Sequence, residues 1–341
     1  MTDTHEVTHD VPTRELVDKL KPFEKPSRAR AWWQLANTLV PYLGLLVLMF
    51  FSIRTGQPYW LTLLLAVPAG AFLLRLFIMF HDCCHGSFLP SQAAMRTVGS
   101  ALGVLAFTPY GEWRHSHGVH HSTAGNLDRR GIGDVWTMTV QEYEEASRWT
   151  RLKYRVYRHP LAMFGIGPLA LFIVFQRIVP GHAKKRQIRS VHLTNLAIVG
   201  IVSVAWLTIG LPTYLAIQLP VMAVAGAAGI WLFYVQHQFD PSYWARTDDW
   251  ESLDAALHGS SYYKLPAILR WFSANIGLHH IHHLRPRIPN YNLPAALKAF
   301  PQLELSEPLT IGRSVRSVHL NLWDEARGRL VSFRQVARMA G

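Results

Sequence analysis

The chain has 341 residues, half of them apolar and only 16% charged, and its 34 Lys and Arg against 22 Asp and Glu leave a formal charge of +12. Plentiful apolar residues exclude disorder, and a single adjacent cysteine pair, Cys83 and Cys84, excludes a disulfide framework. Sparse charge disfavours an ordinary cytosolic enzyme and suggests a polytopic membrane protein, while 18 histidines suggest metal.

Residues 1–30 are polar and lack the basic start and apolar core of a signal peptide. Within them Val11–Phe23 reads as an amphipathic helix. Apolar runs follow at about Ala36–Ile53, Tyr59–Phe80, Val98–Tyr110, Leu161–Val179, Leu193–Ile209 and Thr213–Val235. Crossing about 30 Å of hydrocarbon takes about 20 apolar residues, so Val98–Tyr110 is too short to span. Leu161–Val179 has basic flanks on both sides and Gly165, Gly167 and Pro168 in its middle, and it reads as interfacial or re-entrant. From about Leu303 onward the chain is polar, and Val315, Leu320, Leu322, Ala326 and Leu330 suggest an amphipathic helix.

Basic residues concentrate before the first run, between His121 and Pro160, and after the fourth run. The short loops 54–58 and 210–212 carry one basic residue between them. The positive-inside rule puts the basic segments and both termini in the cytoplasm. The expected fold is therefore all-α: four transmembrane helices in two hairpins, interfacial helices, and a cytoplasmic helical cap around the metal site. The expected division is a cytoplasmic segment 1–35, a membrane domain 36–300 and a cytoplasmic helical segment 301–341.

Eleven histidines fall in four places, among them His115 and His280, which stand beside the regularly spaced ones. His81 and His85 are four residues apart at the end of the second run, on one helical face. His117, His120 and His121 repeat that one-face spacing, as do His279, His282 and His283, and His237 stands at the end of the last span. One such spacing is weak evidence, but three at the same membrane side make a metal site. Eight or nine imidazoles exceed one coordination sphere and suit iron, copper, zinc or nickel. No HExxH occurs, which disfavours a zinc protease. Two irons would use all the imidazoles. Cys83 and Cys84 face away from the histidines of their helix and read as packing residues. Asp82 is placed to orient a ligand imidazole.

The sequences HDCCHGS, WRHSHGVHH and NIGLHHIHHLRPRIPNYNLP resemble the histidine boxes of the membrane fatty acid desaturases. The stretches NLDRRGIGDVWTMTVQEY, FYVQHQFDPSYW and GSSYYKLP resemble the bacterial acyl-lipid branch of omega-6 or delta-12 type. The resemblance covers about residues 35–300. It implies a non-haem diiron enzyme that uses O2 to place a cis double bond in an acyl chain. It implies His81, His85, His117, His120, His121, His237, His279, His282 and His283 as ligands, and Asn275 as a residue touching a metal through water. His115 falls outside the pattern and is excluded as a ligand. His280 is expected to lie behind the ligands or in solvent. His258 stands where relatives carry an acidic residue. His5, His9, His159, His182, His192 and His319 read as surface or interfacial.

Removing hydrogens from an unactivated methylene needs a redox metal, because no side chain is oxidant enough. The protein must hold that methylene and exclude water. Neutral imidazoles leave charge to be balanced, and Asp82, Asp128, Asp134 and Asp240 are the candidates. Tyr110, Trp113, Trp231, Phe233 and Tyr234 are close enough in sequence to line a substrate tunnel, and Gly226 and Gly229 suggest close helix packing. The chain carries no nucleotide, haem or iron–sulfur motif, so electrons come from an external donor. A basic cytoplasmic face suits an acidic carrier such as ferredoxin. Nothing suggests nucleic-acid binding. The expected location is the bacterial inner membrane, with an acyl-lipid substrate drawn from the bilayer. Competing readings are a hydroxylase or ketolase on the same scaffold, including carotenoid oxygenases, and a histidine-rich metal transporter or sensor. A transporter would place its ligands along a path within the spans.

Overall fold

A computed structural model describes residues 14–181, 183–304 and 307–339. The expectations for His5, His9, His182 and the start of Val11–Phe23 lie outside the described residues. Four helices are long and apolar enough to cross a membrane: Arg28–Arg54, Tyr59–His85, Lys185–Ile209 and Leu211–His237. They contain the four runs expected to span and extend them by up to eight residues.

Local signals set their ends. Ser27 caps the first long helix, its side chain accepting from the Arg30 amide. Gly86 takes the left-handed conformation, φ 74°, that stops the second long helix directly after His85. Gly210, φ 83°, alone separates the third from the fourth, which then starts at Leu211-Pro212. Pro41, Pro68 and Pro220 sit inside long helices, as membrane helices tolerate.

The second and fourth long helices form the centre. A Cβ at Gly70 would lie 2.6 Å from the Val224 Cβ, so glycine is what allows the backbones to approach. Leu73, Leu76, Met79, Phe80, Val221 and Met222 are buried around that contact. The first and third long helices turn Val40, Val47, Leu48, Phe51, Leu196, Val199, Val204 and Leu207 outward. Such a continuous apolar exterior is unstable in water and matches lipid tails.

The short run becomes the helix Gln92–Leu105, and Tyr110–Thr123 follows after a break at Phe107-Thr108-Pro109. The run at Leu161 is a helix of partly π character, bent by 59° from Arg148–Tyr157. That bend is the geometry of a broken span or re-entrant segment and rules out one straight crossing. Pro168 packs on Gly226, where a Cβ would come within 2.9 Å of it, and a Cβ at Gly229 would make only ordinary contact.

The C-terminal stretch departs from the expected continuous helix. Among the described residues there, only Ile311–Arg316 and Phe333–Met339 are α-helical. Leu322–Asp324 and Arg329–Val331 form an antiparallel hairpin, and Met138–Thr139 adds a parallel strand. The turn between the hairpin strands contains Gly328 at φ 58°, and the Arg327 amide donates to Asp324 Oδ1. The sheet buries Met138, Leu322 and Val331 with Tyr154, fastening the C-terminal stretch below the loop that follows the second histidine box.

Candidate metal centre

Each histidine box rides on a helix whose register is set locally. His81 and His85 occupy the last turn of the second long helix, with ring centroids 4.6 Å apart. His117, His120 and His121 lie on Tyr110–Thr123, and His117 and His121 are likewise 4.6 Å apart. His279, His282 and His283 lie on His279–Leu284, entered through the left-handed residues Ala274 and Asn275. His237 is the final residue of the fourth long helix.

The fold brings all nine together in two adjoining groups. His81, His85, His117, His121 and His282 form one, and His120, His237, His279 and His283 form the other. Within each group one nitrogen per ring lies within 4.8 Å of all the others. The groups meet where the His121 and His283 rings stack, 4.0 Å apart at 18°.

Hydrogen bonding at the backs of the rings fixes what faces inward. His237 Nδ1 lies 3.1 Å from the Gly259 carbonyl, which only accepts, so Nδ1 carries the proton. His120 Nδ1 lies 2.5 Å from Asp134 Oδ1 and donates in the same way. In the neutral tautomers the two Nε2 atoms are then both lone pairs, yet they face each other at 3.1 Å. His279 Nε2 is also 3.0 Å from His237 Nε2. Lone pairs converging at this distance repel unless a cation lies among them. The other group has the same feature. His81 Nδ1 is 3.1 Å from Asp82 Oδ1, and its Nε2 is buried without a partner. Nε2 of His85 is buried and unpartnered as well, and so is Nε2 of His283 in the group of His120 and His237. Burial, reinforced by neighbouring imidazoles, pushes the pKa values of His117, His121, His279, His282 and His283 far below the usual range. Neutral rings with inward lone pairs, backed by carboxylates, are a donor set that fits metal ions.

The four candidate carboxylates separate. Asp82 and Asp134 reach histidines, whereas Asp128 pairs with Arg246 and Asp240 with Arg329. Gly133 lets the Asp134 loop approach, since at φ 77° a Cβ there would lie 2.8 Å from the Ser116 carbonyl oxygen. Asn290 was not anticipated. Its backbone and side-chain nitrogens donate to Asp82 Oδ2 at 2.7 and 2.8 Å, and Gln34 donates to its Oδ1 at 2.7 Å. It lies in the RIPNYNLP stretch, but 208 residues separate it from Asp82 and no spacing signal connects them.

Asn275 lies outside both groups, its side-chain amide donating to the Asn290 carbonyl. His115, His159, His192 and His319 are exposed. His258 belongs to neither group, and its carbonyl accepts from the Tyr243 amide. His280 is neither solvated nor behind a ligand. It is fully buried on the far side of its helix and donates from Nε2 to the Leu303 carbonyl. Cys83 and Cys84 are buried free thiols outside both groups. Of the candidate tunnel aromatics, Trp113 stacks on His117 at 4.2 Å and Phe233 lies 5.2 Å from His120. Tyr110 donates to the Cys83 carbonyl, Tyr234 bonds Ser317 and Arg158, and Trp231 reaches Tyr263.

The sequence profile of the family "Fatty acid desaturase" matches residues 58–310. The chain is 42% identical to a "Fatty acid desaturase" of Bacillus subtilis over 323 residues, covering 95% of this chain and 91% of that protein. It is 24% identical over 346 residues to the chloroplastic omega-6 fatty acid desaturase of Spinacia oleracea, covering 96% and 72%. An sn-1 acyl-lipid omega-3 desaturase (ferredoxin) of Synechocystis is 27% identical over 247 residues, covering 67% and 64%.

Proposed function

The chain belongs to the fatty acid desaturase family, and from that premise we propose that it places a cis double bond at the delta-12 or omega-6 position of an acyl-lipid, using O2 at a diiron centre. The chain is a membrane-embedded desaturase with a histidine cluster able to hold metal. One iron is held by His81, His85, His117, His121 and His282, and the other by His120, His237, His279 and His283. The observation that carries this reading is the opposed Nε2 pair of His120 and His237, which two neutral rings protonated at Nδ1 would hold at 3.1 Å only around a cation.

When bound, the metal pair supplies the oxidising power that side chains lack. The balanced reaction removes two hydrogens from adjacent methylenes, takes two electrons and two protons from outside, and reduces one O2 to two waters. This chain's residues do the rest. Asp82, Asp134 and the Gly259 carbonyl hold three imidazoles in the tautomer that presents Nε2. Trp113 and Phe233 pack against His117 and His120 and exclude water beside the reacting carbon. Asn275 reaches a metal through water.

Electrons come from a soluble carrier such as ferredoxin, a reading supported by the basic segments and by the donor named for the Synechocystis relative. The membrane domain is 36–300, with 1–35 and 301–341 outside it. Loop charge supports a bacterial inner-membrane location with the site and both termini cytoplasmic. The test is expression in a bacterium lacking polyunsaturated lipids, followed by gas chromatography of its fatty acids. A new delta-12 diene is expected. A hydroxylated or keto product, or unchanged acyl chains beside altered carotenoids, would overturn the reading.

A further inference from the structure

A cleft of about 520 Å³ opens between the first turns of the first long helix, the middle of the second, and the stretch from Tyr291 to Lys298. Three cations line it, Arg30, Arg75 and Lys298, and no acidic residue is among its described lining. Arg30 donates to Asn292 Oδ1 and the Tyr291 carbonyl, which are neutral partners and leave its charge unbalanced. Arg75 is the unusual one. It lies within a membrane-spanning helix and is only 5% exposed. Among the described residues its guanidinium makes one hydrogen bond, from Nε to Thr38 Oγ1 at 3.1 Å, and lies 3.9 Å from the Trp271 ring centroid. A cation held at that depth without a counter-charge is costly, and its free N–H groups border the cleft.

The rim indicates the source of the missing anion. Trp33 is 70% exposed, and Ile268, Leu269 and Trp271 project from the short helix beside it. Tryptophan and aliphatic side chains around arginine and lysine are the composition of a membrane interface. Free phosphate gains nothing from that rim, whereas a lipid phosphate brings glycerol esters and acyl chains to it. Gln34 and Asn275 line the cleft too, and both hydrogen-bond Asn290, the residue that holds Asp82. The cleft therefore shares a wall with the histidine cluster.

We propose that this cleft binds the phosphate of a membrane glycerophospholipid, with Arg75, Arg30 and Lys298 as its counter-charges and Trp33 and Trp271 flanking the glycerol region. The test is native mass spectrometry of the purified full-length protein in detergent. The probes are phosphatidylglycerol, diacylglycerol with the same chains, and inorganic phosphate. Phosphatidylglycerol is expected to remain bound to the wild type and to lose about tenfold in affinity in Lys298→Ala and Arg75→Met. Diacylglycerol is expected not to be retained, and inorganic phosphate not to compete at millimolar concentration. Equal retention of diacylglycerol, wild-type retention by Lys298→Ala, or displacement by inorganic phosphate would each overturn the proposal. Lys298 is exposed, so its variant reports even if Arg75→Met fails to fold. The readout needs neither metal nor turnover, so its failure is distinct from failure of the desaturase reading.

Discussion

In the proposed metal centre a histidine is held from behind, by the group that accepts a hydrogen bond from its other ring nitrogen. Asp134 does this for His120 and Asp82 for His81. Asp134→Ala is expected to lower iron affinity by about 10–100-fold, measured by iron titration of the purified protein. Asp128→Ala, which removes the acceptor of Arg246 and of the Thr247 amide, and His115→Ala, which removes an exposed ring, are expected to keep the wild-type iron content. Eight of the nine clustered histidines were legible because i, i+4 or i, i+3, i+4 spacing is a property of the chain itself, and the lone His237 only from its place at the end of the last span and the family resemblance. The choice among carboxylates was not. Asp128 and Asp134 sit six residues apart in one loop, and only the folded loop turns the first to Arg246 and the second to His120. His280 was misjudged for a related reason. Its position inside a box gives no sign that it points to the Leu303 carbonyl instead.

Elements carry these residues, and their close approaches depend on missing side chains. Gly70→Leu would drive a side chain into Val224, where a Cβ alone would come within 2.6 Å. Overpacking of this kind costs about 1–3 kcal/mol, so a melting temperature lower by several degrees is expected in a detergent thermal-shift assay. Gly133→Ala strains a left-handed residue against the Ser116 carbonyl and displaces Asp134. It is expected to lower both melting temperature and iron content, whereas Gly70→Leu lowers the melting temperature alone. The four long helices were legible because length and apolarity suffice to define them. The C-terminal hairpin was not, because Leu322, Ala326 and Leu330 fall on an i+4 helical stripe, whereas the folded chain puts Ala326 in the turn and sends Leu322 and Leu330 to opposite faces of the hairpin. The turn at Gly328 and the partner strand Met138–Thr139, distant in sequence, decide it.

Across the whole molecule, an apolar belt of long helices supports a polar layer at one end, where all three histidine boxes and His237 converge. The distribution of Lys and Arg along the chain supports the proposal that this end is cytoplasmic. Fusions of green fluorescent protein and of alkaline phosphatase to the C-terminus are expected to be fluorescent and inactive, respectively. Active phosphatase would invert the topology. The two-group division of the histidines was beyond sequence reasoning, because it interleaves boxes: His120 leaves its neighbours His117 and His121 to join His237 and His279. Two metal ions at this junction are therefore what the proposed chemistry requires above all. Metal analysis of the purified wild type beside His120→Ala and His282→Ala, one variant for each group, tests it most directly. On the order of two irons per chain in the wild type and about one or fewer in each variant is the expected result. One zinc without iron, or iron unchanged in both variants, would contradict it.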